Sequence, residues 1–449
     1  MNSPVIVVGG GLAGCEAAWQ CARYGIAVEV WEMRPTRSTP AHQTSGLAEL
    51  VCSNSLKSES ANTAPWLLKE EMRRVGSLLI QVAADCAIPA GHALAVDRTA
   101  FSSKVTERIG QEPLITIRRE ELTSLDEKQL TIVATGPLTS DALSEEIARR
   151  TGSSQLAFYD SISPIVEAES IDYSKVYFAA RYEKGTPDYI NCPMSKPDYD
   201  RFYDALVAAE PTQAKDWENL NYFEGCLPIE EIARRGRDTL RFGPMKPVGL
   251  QDPRTGRRPY AVVQLRQENL RADSYNLVGF QNHLKFQEQA RVLRLIPGLE
   301  NARFSRFGQI HRNTYINSPA ILTSTLQMKN YPMFLFAGQI CGVEGYVESI
   351  ATGMLAGLYA AILTAGGTPM APPRETAIGS LVHYITHADA RSFQPANITF
   401  DLLPPLDRKI HDRQQRHRMQ CDAALEQLGP WIAQLGRQRK RPAGLPQAC

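Results

Sequence analysis

An excess of charge of either sign is missing from this sequence: 49 Lys and Arg stand against 48 Asp and Glu in 449 residues. No global field attracts polyanions, so any contact with nucleic acid has to rest on local basic patches. Paired cysteine spacing is missing too. The nine cysteines are odd in number and form no C-x-x-C pair, which argues against a disulfide framework or a zinc ribbon and for free thiols in a reducing, cytoplasmic compartment. Long apolar runs are also lacking. The greasiest stretch, Met354 to Ala365, falls short of the roughly 18 residues that a membrane-spanning helix needs. The opening MNSPVIVVGGG has no charged leader region and runs straight into a strand and a glycine loop, so it reads as mature structure. Low-complexity segments and internal repeats are absent, and 43% hydrophobic with 22% charged residues is ordinary for a folded protein of two or three domains.

What is present begins at the N-terminus. Val5 to Val8 is a short apolar run suited to a buried parallel strand, and Gly9-Gly10-Gly11-Leu12-Ala13-Gly14 follows with G-x-G-x-x-G spacing before an Ala-rich helix. The spacing assigns separate jobs. Gly9 permits the tight turn, Gly11 lets backbone amides approach a pyrophosphate, and Gly14 allows close packing of a helix whose N-terminal dipole faces phosphate. A second strand, Val28 to Trp31, ends at Glu32, where a carboxylate accepts hydrogen bonds from a ribose. This arrangement predicts a dinucleotide site, with S-adenosylmethionine as the competing ligand for such a loop.

The far end of the chain separates the two. Met333 to Ala337 is another apolar strand, followed by Gly338, Gln339, Gly342 and Gly345 and by a helix of small residues carrying Glu348 and Ser349. The segment resembles the second flavin motif of the glutathione-reductase-like class, and LTIVATG at 130–136 resembles the strand-end turn of the same class. The resemblance implies FAD, with a helix N-terminus facing the N1 and O2 region of the flavin, where its dipole stabilises an anionic reduced ring. The expected fold is α/β: a Rossmann-like FAD-binding domain of the glutathione-reductase type over residues 1–150 and 320–400. A smaller α+β domain is inserted at 151–319, and a basic tail occupies 401–449. In the insert, IVEAESIDY and KVYFAARYE read as strands and DYDRFYDALVAAE as an amphipathic helix.

Further segments narrow the chemistry: VCSNSLKSE at 51–59, AVDRTAFS at 95–102, FEGCLPIEE at 223–231, TLRFGPMKPVGL at 239–250, VGFQNHLKFQEQ at 278–289 and IPGLENARFSRFGQIHRNTYINSP at 296–319. With the two glycine motifs they resemble the bacterial folate- and FAD-dependent tRNA uracil-5-methyltransferases over about residues 5 to 400. The resemblance implies methylation of a T-loop uridine of tRNA, at position 54. The carbon comes from methylenetetrahydrofolate, and the reducing power from FAD reduced by NADH or NADPH. It also implies that Cys226 adds to uracil C6, that Cys52 handles the proton, and that flavin N5 carries the methylene. The pair is better defined than the division of labour within it.

The chemistry makes sense of two cysteines. Uracil C5 is a poor nucleophile until a thiolate adds at C6 and generates an enolate, and a second group must then remove the C5 proton. Cys52 sits among Ser53, Asn54, Ser55 and Lys57 in a polar loop, and Cys226 lies in a turn between Gly225 and Leu227-Pro228. Glu224, Glu230 and Glu231 flank Cys226, so its activation has to come from cations elsewhere or from the substrate complex. Cys21, Cys86, Cys192, Cys341 and Cys421 read as small core fillers, and Cys15 as part of the glycine-loop helix.

Folate and RNA contacts are less sharply marked. Gln281, Asn282, His283, Lys285 and Arg266 offer amides, a flat ring and cations for a pterin and its glutamyl tail, and they fit a solvated surface helix equally well. Basic clusters occur at Arg234, Arg235 and Arg237, at Arg254, Arg257 and Arg258, and at Arg303, Arg306 and Arg312; each fits either phosphate or plain solvent. From Pro404 to Cys449 nine Lys or Arg face four Asp or Glu, as an RNA-holding or a disordered end. Two rivals remain. One is the larger FAD- and folate-linked enzyme of tRNA wobble uridines, whose long C-terminal helical domain this chain lacks. The other is a small-molecule flavin oxidoreductase, which a C-x4-C redox pair would favour. A T-arm of tRNA is the expected macromolecular partner.

Overall fold

Apolar β-branched runs place the first sheet. In a computed structural model, which describes residues 3–39, 41–152, 156–212, 227–406 and 410–438, five parallel strands lie in the order Phe334–Phe336, Thr131–Val133, Val5–Val8, Val28–Trp31 and Ile115–Arg118. The three strands Phe334–Phe336, Thr131–Val133 and Val5–Val8 are almost continuously buried, as in a parallel sheet covered on both faces. Val28–Trp31 is buried at alternate positions, and the edge strand Ile115–Arg118 only at Ile115. From the central strand Val5–Val8 the chain first adds Val28–Trp31 on one side and later Thr131–Val133 on the other. The connections therefore diverge at the C-terminal end of the central strand, which is where open α/β sheets leave a ligand crevice.

Helix Leu12–Arg23 packs against the long helix Tyr346–Thr364 with almost no spacing between backbones. A Cβ on Gly353 would lie 2.3 Å from the Ala13 carbonyl oxygen, and one on Gly357 would lie 2.4 Å from that of Ala17. The apolar segment is longer than the run at 354–365 suggested. Over 19 residues it is long and apolar enough to cross a membrane, and 83% of its most apolar window is buried inside this fold.

The second sheet has six strands in the order Tyr177–Phe178, Ile190–Met194, Ala261–Gln267, Ser274–Leu277, Ile165–Glu167 and Phe304–Arg306, all antiparallel neighbours. Helix Lys196–Val207 starts at a capping box formed by Ser195 and Asp198 and turns Tyr199, Phe202 and Leu206 into a core separate from the first. Strands Leu156–Ser161 and Ile310–Tyr315 pair with each other where the chain enters and leaves this region.

Several expectations change. The strand expected at 175–183 shortens to Tyr177–Phe178, and a 3-10 turn follows in which Tyr182 and Glu183 adopt positive φ. The segment 281–285 is not helical: it precedes helix Phe286–Leu293 and buries Asn282 and His283. The expected basic tail contains helix Arg413–Gln438, which buries Cys421, Ala424, Leu428, Trp431 and Leu435 in the first core while Trp431 donates to the Met370 carbonyl at 3.2 Å. Charge counting missed it because the apolar residues recur every three or four positions among the arginines.

Candidate functional site: a dinucleotide cleft beside a cysteine loop

A cleft opens at the C-terminal ends of the strands of the first sheet and encloses about 990 Å³ of space, its open mouth included. Gly9, Gly11, Leu12, Ala13, Glu32, Gly338 and Gln339 line it, joined by Thr135 to Ser140, Tyr346 and Ser349. Gly9 has φ +103°, and a Cβ there would strike the Ala134 carbonyl. Gly14 lies behind the cleft; its absent Cβ would sit 1.8 Å from the Gly9 oxygen, so helix and strand can meet only because it is glycine. Gly342 packs against Phe393, and Gly345 against Glu348 and Lys57, so neither lines the cleft.

The residues present suit a dinucleotide. Gly11 caps helix Leu12–Arg23 without a side-chain hydrogen bond, no acid occupies the first turn, and the space beside the Gly11 Cα is open. Free amides and an unopposed dipole are what a pyrophosphate requires. Glu32, 6% exposed, does more than the sequence implied. Its carboxylate accepts the Gly10 amide at 2.9 Å, the Arg34 amide at 3.0 Å, Arg34 Nε at 2.9 Å and Arg34 Nη2 at 3.2 Å. Burial alone would raise this carboxyl, but the hydrogen bonds and charge of Arg34 outweigh it and hold Glu32 below the ordinary range. A ribose hydroxyl therefore meets an acid whose lone pairs already have partners. Arg34 also reaches Glu49 at 3.0 Å, and burial together with Arg34 pushes His42, another lining residue, down to about 4.

Cys52 lies next to this cleft in an irregular segment between Leu50 and strand Ser55–Ser58. Tyr346, the first residue of the long helix, lines the cleft and accepts the main-chain amides of Cys52 at 2.8 Å and Ser53 at 3.0 Å. Arg98 donates to the Cys52 carbonyl at 3.2 Å and to the Leu50 carbonyl at 2.8 Å, and it is held by Glu268 at 2.5 Å. Burial, with Cys52 nearby, pushes the Tyr346 phenol up, so it stays protonated and neutral. Among the described cysteines Cys52 is the one that is not buried. Burial pushes the thiols of Cys15, Cys21, Cys341 and Cys421 up to about 12, and those of Cys86 and Cys192 upward as well. Thiols held protonated are poor nucleophiles. Cys226 and Glu224 lie outside the described residues.

The other candidates separate. Arg266 donates to Asn54 Oδ1 and Ser53 Oγ, both at 2.9 Å, so it belongs to the Cys52 segment. Asn282 bonds the local backbone at Phe280 and Leu284, His283 lies 2.8 Å from Glu230, and Lys285 pairs with Glu210. Gln281 accepts the Ile229 amide through its carbonyl. Each arginine cluster holds at least one residue paired with an acid: Arg234 with Glu231, Arg237 with Asp200 and Asp204, Arg254 with Asp252, and Arg303 with Glu167 and Glu169. Arg306 is half-buried, and burial together with Arg98 holds its guanidinium below its ordinary value. Sequence reasoning missed Arg34 and Tyr346; the first stands two residues after the acid, and the second directly follows Gly345.

Known proteins share the sequence and the fold of this chain. A family model described as Glucose inhibited division protein A matches residues 4–368. The chain is 70% identical over 438 residues to the Methylenetetrahydrofolate--tRNA-(uracil-5-)-methyltransferase TrmFO of Koribacter versatilis, covering 96% of this chain and 99% of that protein. It is 63% identical over 437 residues to the protein of the same name from Solibacter usitatus, covering 95% and 98%. Among solved structures, Aquifex aeolicus GidA superposes with a TM-score of 0.72 at 17% identity, over 96% of this chain and 73% of that one, a likeness of fold.

Proposed function

The chain belongs to the family of methylenetetrahydrofolate--tRNA-(uracil-5-)-methyltransferases, within the glucose inhibited division protein A group, and from that membership we propose that it forms 5-methyluridine at position 54 of the tRNA T-loop. It is a folate-dependent tRNA methyltransferase, and methylenetetrahydrofolate provides the carbon. When bound, FAD supplies reducing equivalents, drawn from NADH or NADPH, and an N5 position to carry the one-carbon unit.

The chain's own residues supply the rest. The amides at the start of helix Leu12–Arg23 bind pyrophosphate, and Glu32 with Arg34 shapes the ribose end. Cys226 adds to uracil C6, Cys52 takes the C5 proton, and the T-arm is the part of tRNA bound. Free thiols fit a cytoplasmic enzyme. The single observation that most supports this reading is that Tyr346 both lines the dinucleotide cleft and holds the Cys52 amide, so the one described cysteine that is not buried is tethered to the cofactor site.

The test combines purified protein, unmodified tRNA, NADH or NADPH, and methylenetetrahydrofolate labelled at the methylene carbon. Label in a T-loop 5-methyluridine is the expected result. Label in the anticodon loop would point to the wobble-uridine chemistry, and carbon from S-adenosylmethionine would overturn the proposal. Cys226→Ala should abolish a covalent adduct with 5-fluorouridine RNA; an adduct that persists would move the nucleophile to Cys52.

A further inference from the structure

The segment carrying Cys52 has no regular structure of its own, so its position depends on side chains sent to it from elsewhere. Three elements supply them. The long helix holds the Cys52 and Ser53 amides through Tyr346, and helix Arg98–Gln111 holds the Cys52 carbonyl through Arg98. The third element is strand Ala261–Gln267 of the second sheet. Its Arg266, only 9% exposed, puts Nη2 2.9 Å from Ser53 Oγ and Nε 2.9 Å from Asn54 Oδ1. Asn54 is fully buried and returns Nδ2 to the Gln267 carbonyl at 2.9 Å and to the Val96 carbonyl at 3.2 Å. Next to Arg266 in register is Asn276, which donates to Glu268, and Glu268 in turn holds Arg98. Asp97, the residue before Arg98, accepts the Leu270 amide at 3.1 Å.

Two guanidinium groups thus converge on consecutive residues of one loop, and both are anchored in the second sheet. Burying a guanidinium is costly unless its donors are matched, and the fork of Arg266 is matched by two acceptors on Ser53 and Asn54. We infer that Arg266 is a positioning residue for Cys52, assisted by the Arg98–Glu268 pair, and that it transmits the placement of the second sheet to the cysteine loop. This rests on the reading above that Cys52 takes part in the chemistry. It assigns Arg266 to the geometry of that thiol and not to folate binding. Lysine keeps the charge but cannot reproduce two divergent N–H bonds, so Arg266→Lys is the informative change.

The experiment uses the full FAD-loaded enzyme with NADH or NADPH, methylenetetrahydrofolate and T-arm tRNA, and measures kcat, the KM values for folate and tRNA, and flavin content for Arg266→Lys, Ser53→Ala and Cys52→Ser. Expected are a kcat loss of roughly 10- to 100-fold for Arg266→Lys and a smaller loss, about 5-fold, for Ser53→Ala. Flavin content stays unchanged and both KM values stay within about 2-fold. If Arg266→Lys fails to retain flavin, Ser53→Ala alone decides: a kcat loss supports the inference, and parental kcat overturns it. Parental kcat in Arg266→Lys beside an inactive Cys52→Ser overturns the positioning role and leaves the function of Cys52 standing. A raised KM for the folate with unchanged kcat overturns it in favour of a folate contact. An active Cys52→Ser removes the premise itself.

Discussion

The hydroxyl of Tyr346 accepts the main-chain amide of Cys52 at 2.8 Å. With the Ser53 amide on the same oxygen, one phenol fixes two successive peptides of an otherwise irregular segment. Tyr346→Phe keeps the ring and removes the one oxygen that accepts both amides. Each amide left without a partner costs about 1–3 kcal/mol, so hydrogen exchange at Cys52 and Ser53 should accelerate by about 5- to 150-fold. Unchanged protection at these two amides would show that the hydroxyl does not hold the loop.

Two glycines of the phosphate loop should fail in different ways. Gly14→Ala forces a Cβ to within 1.8 Å of the Gly9 oxygen, so the helix must move off its strand. Overpacking of this kind costs about 1–3 kcal/mol, visible as a lowered melting temperature of the flavin-free protein. Gly11→Ala points its Cβ into open space and should change that stability by about 1 kcal/mol or less, yet weaken FAD at least about 10-fold by occupying the path to the helix amides. A common phenotype for the two variants would contradict this division.

Glu71 gives a pH signature. It is fully buried and accepts the amides of Ala377 at 2.7 Å and Ile378 at 2.9 Å, capping helix Ala377–His387. Burial, outweighing these bonds, raises its carboxyl from 4.5 to about 8. The folded chain therefore keeps a proton that the unfolded chain releases. The stability Glu71 contributes is complete below about pH 4.5 and is lost as pH rises toward about 8. Glu71→Gln cannot ionise, so its melting temperature relative to the parent should climb between pH 5 and pH 8 and level off above. A pH-independent gap would assign Glu71 the ordinary carboxylate range.

Alkylation separates the thiols. Brief iodoacetamide treatment of the native protein, followed by peptide mass analysis, should modify Cys52 while Cys15, Cys21, Cys86, Cys192, Cys341 and Cys421 react only after unfolding, because burial both shields them and disfavours their thiolates. Modification of Cys192 or Cys341 in the folded state would contradict the packing described.

Sequence alone was enough for the parts governed by local rules. Val5–Val8, Val28–Trp31 and the strand after Tyr331 are short apolar runs, and the glycines between Gly9 and Gly14 are required by backbone sterics, so strand, turn and helix could be read in order. The polar setting of Cys52 likewise distinguished it from cysteines in apolar runs. Tertiary structure alone decided what depends on contacts between residues far apart in the chain. Glu32 turned out to hold Arg34 and Gly10, Arg266 to serve Ser53 and Asn54 across 213 and 212 positions, and cluster arginines such as Arg237 and Arg303 to pair with Asp200 and Glu167. The physical reason is that a charged side chain announces its donors but not its partner. A long flexible stem can satisfy them at many points, and only the packing of two sheets against one loop selects which.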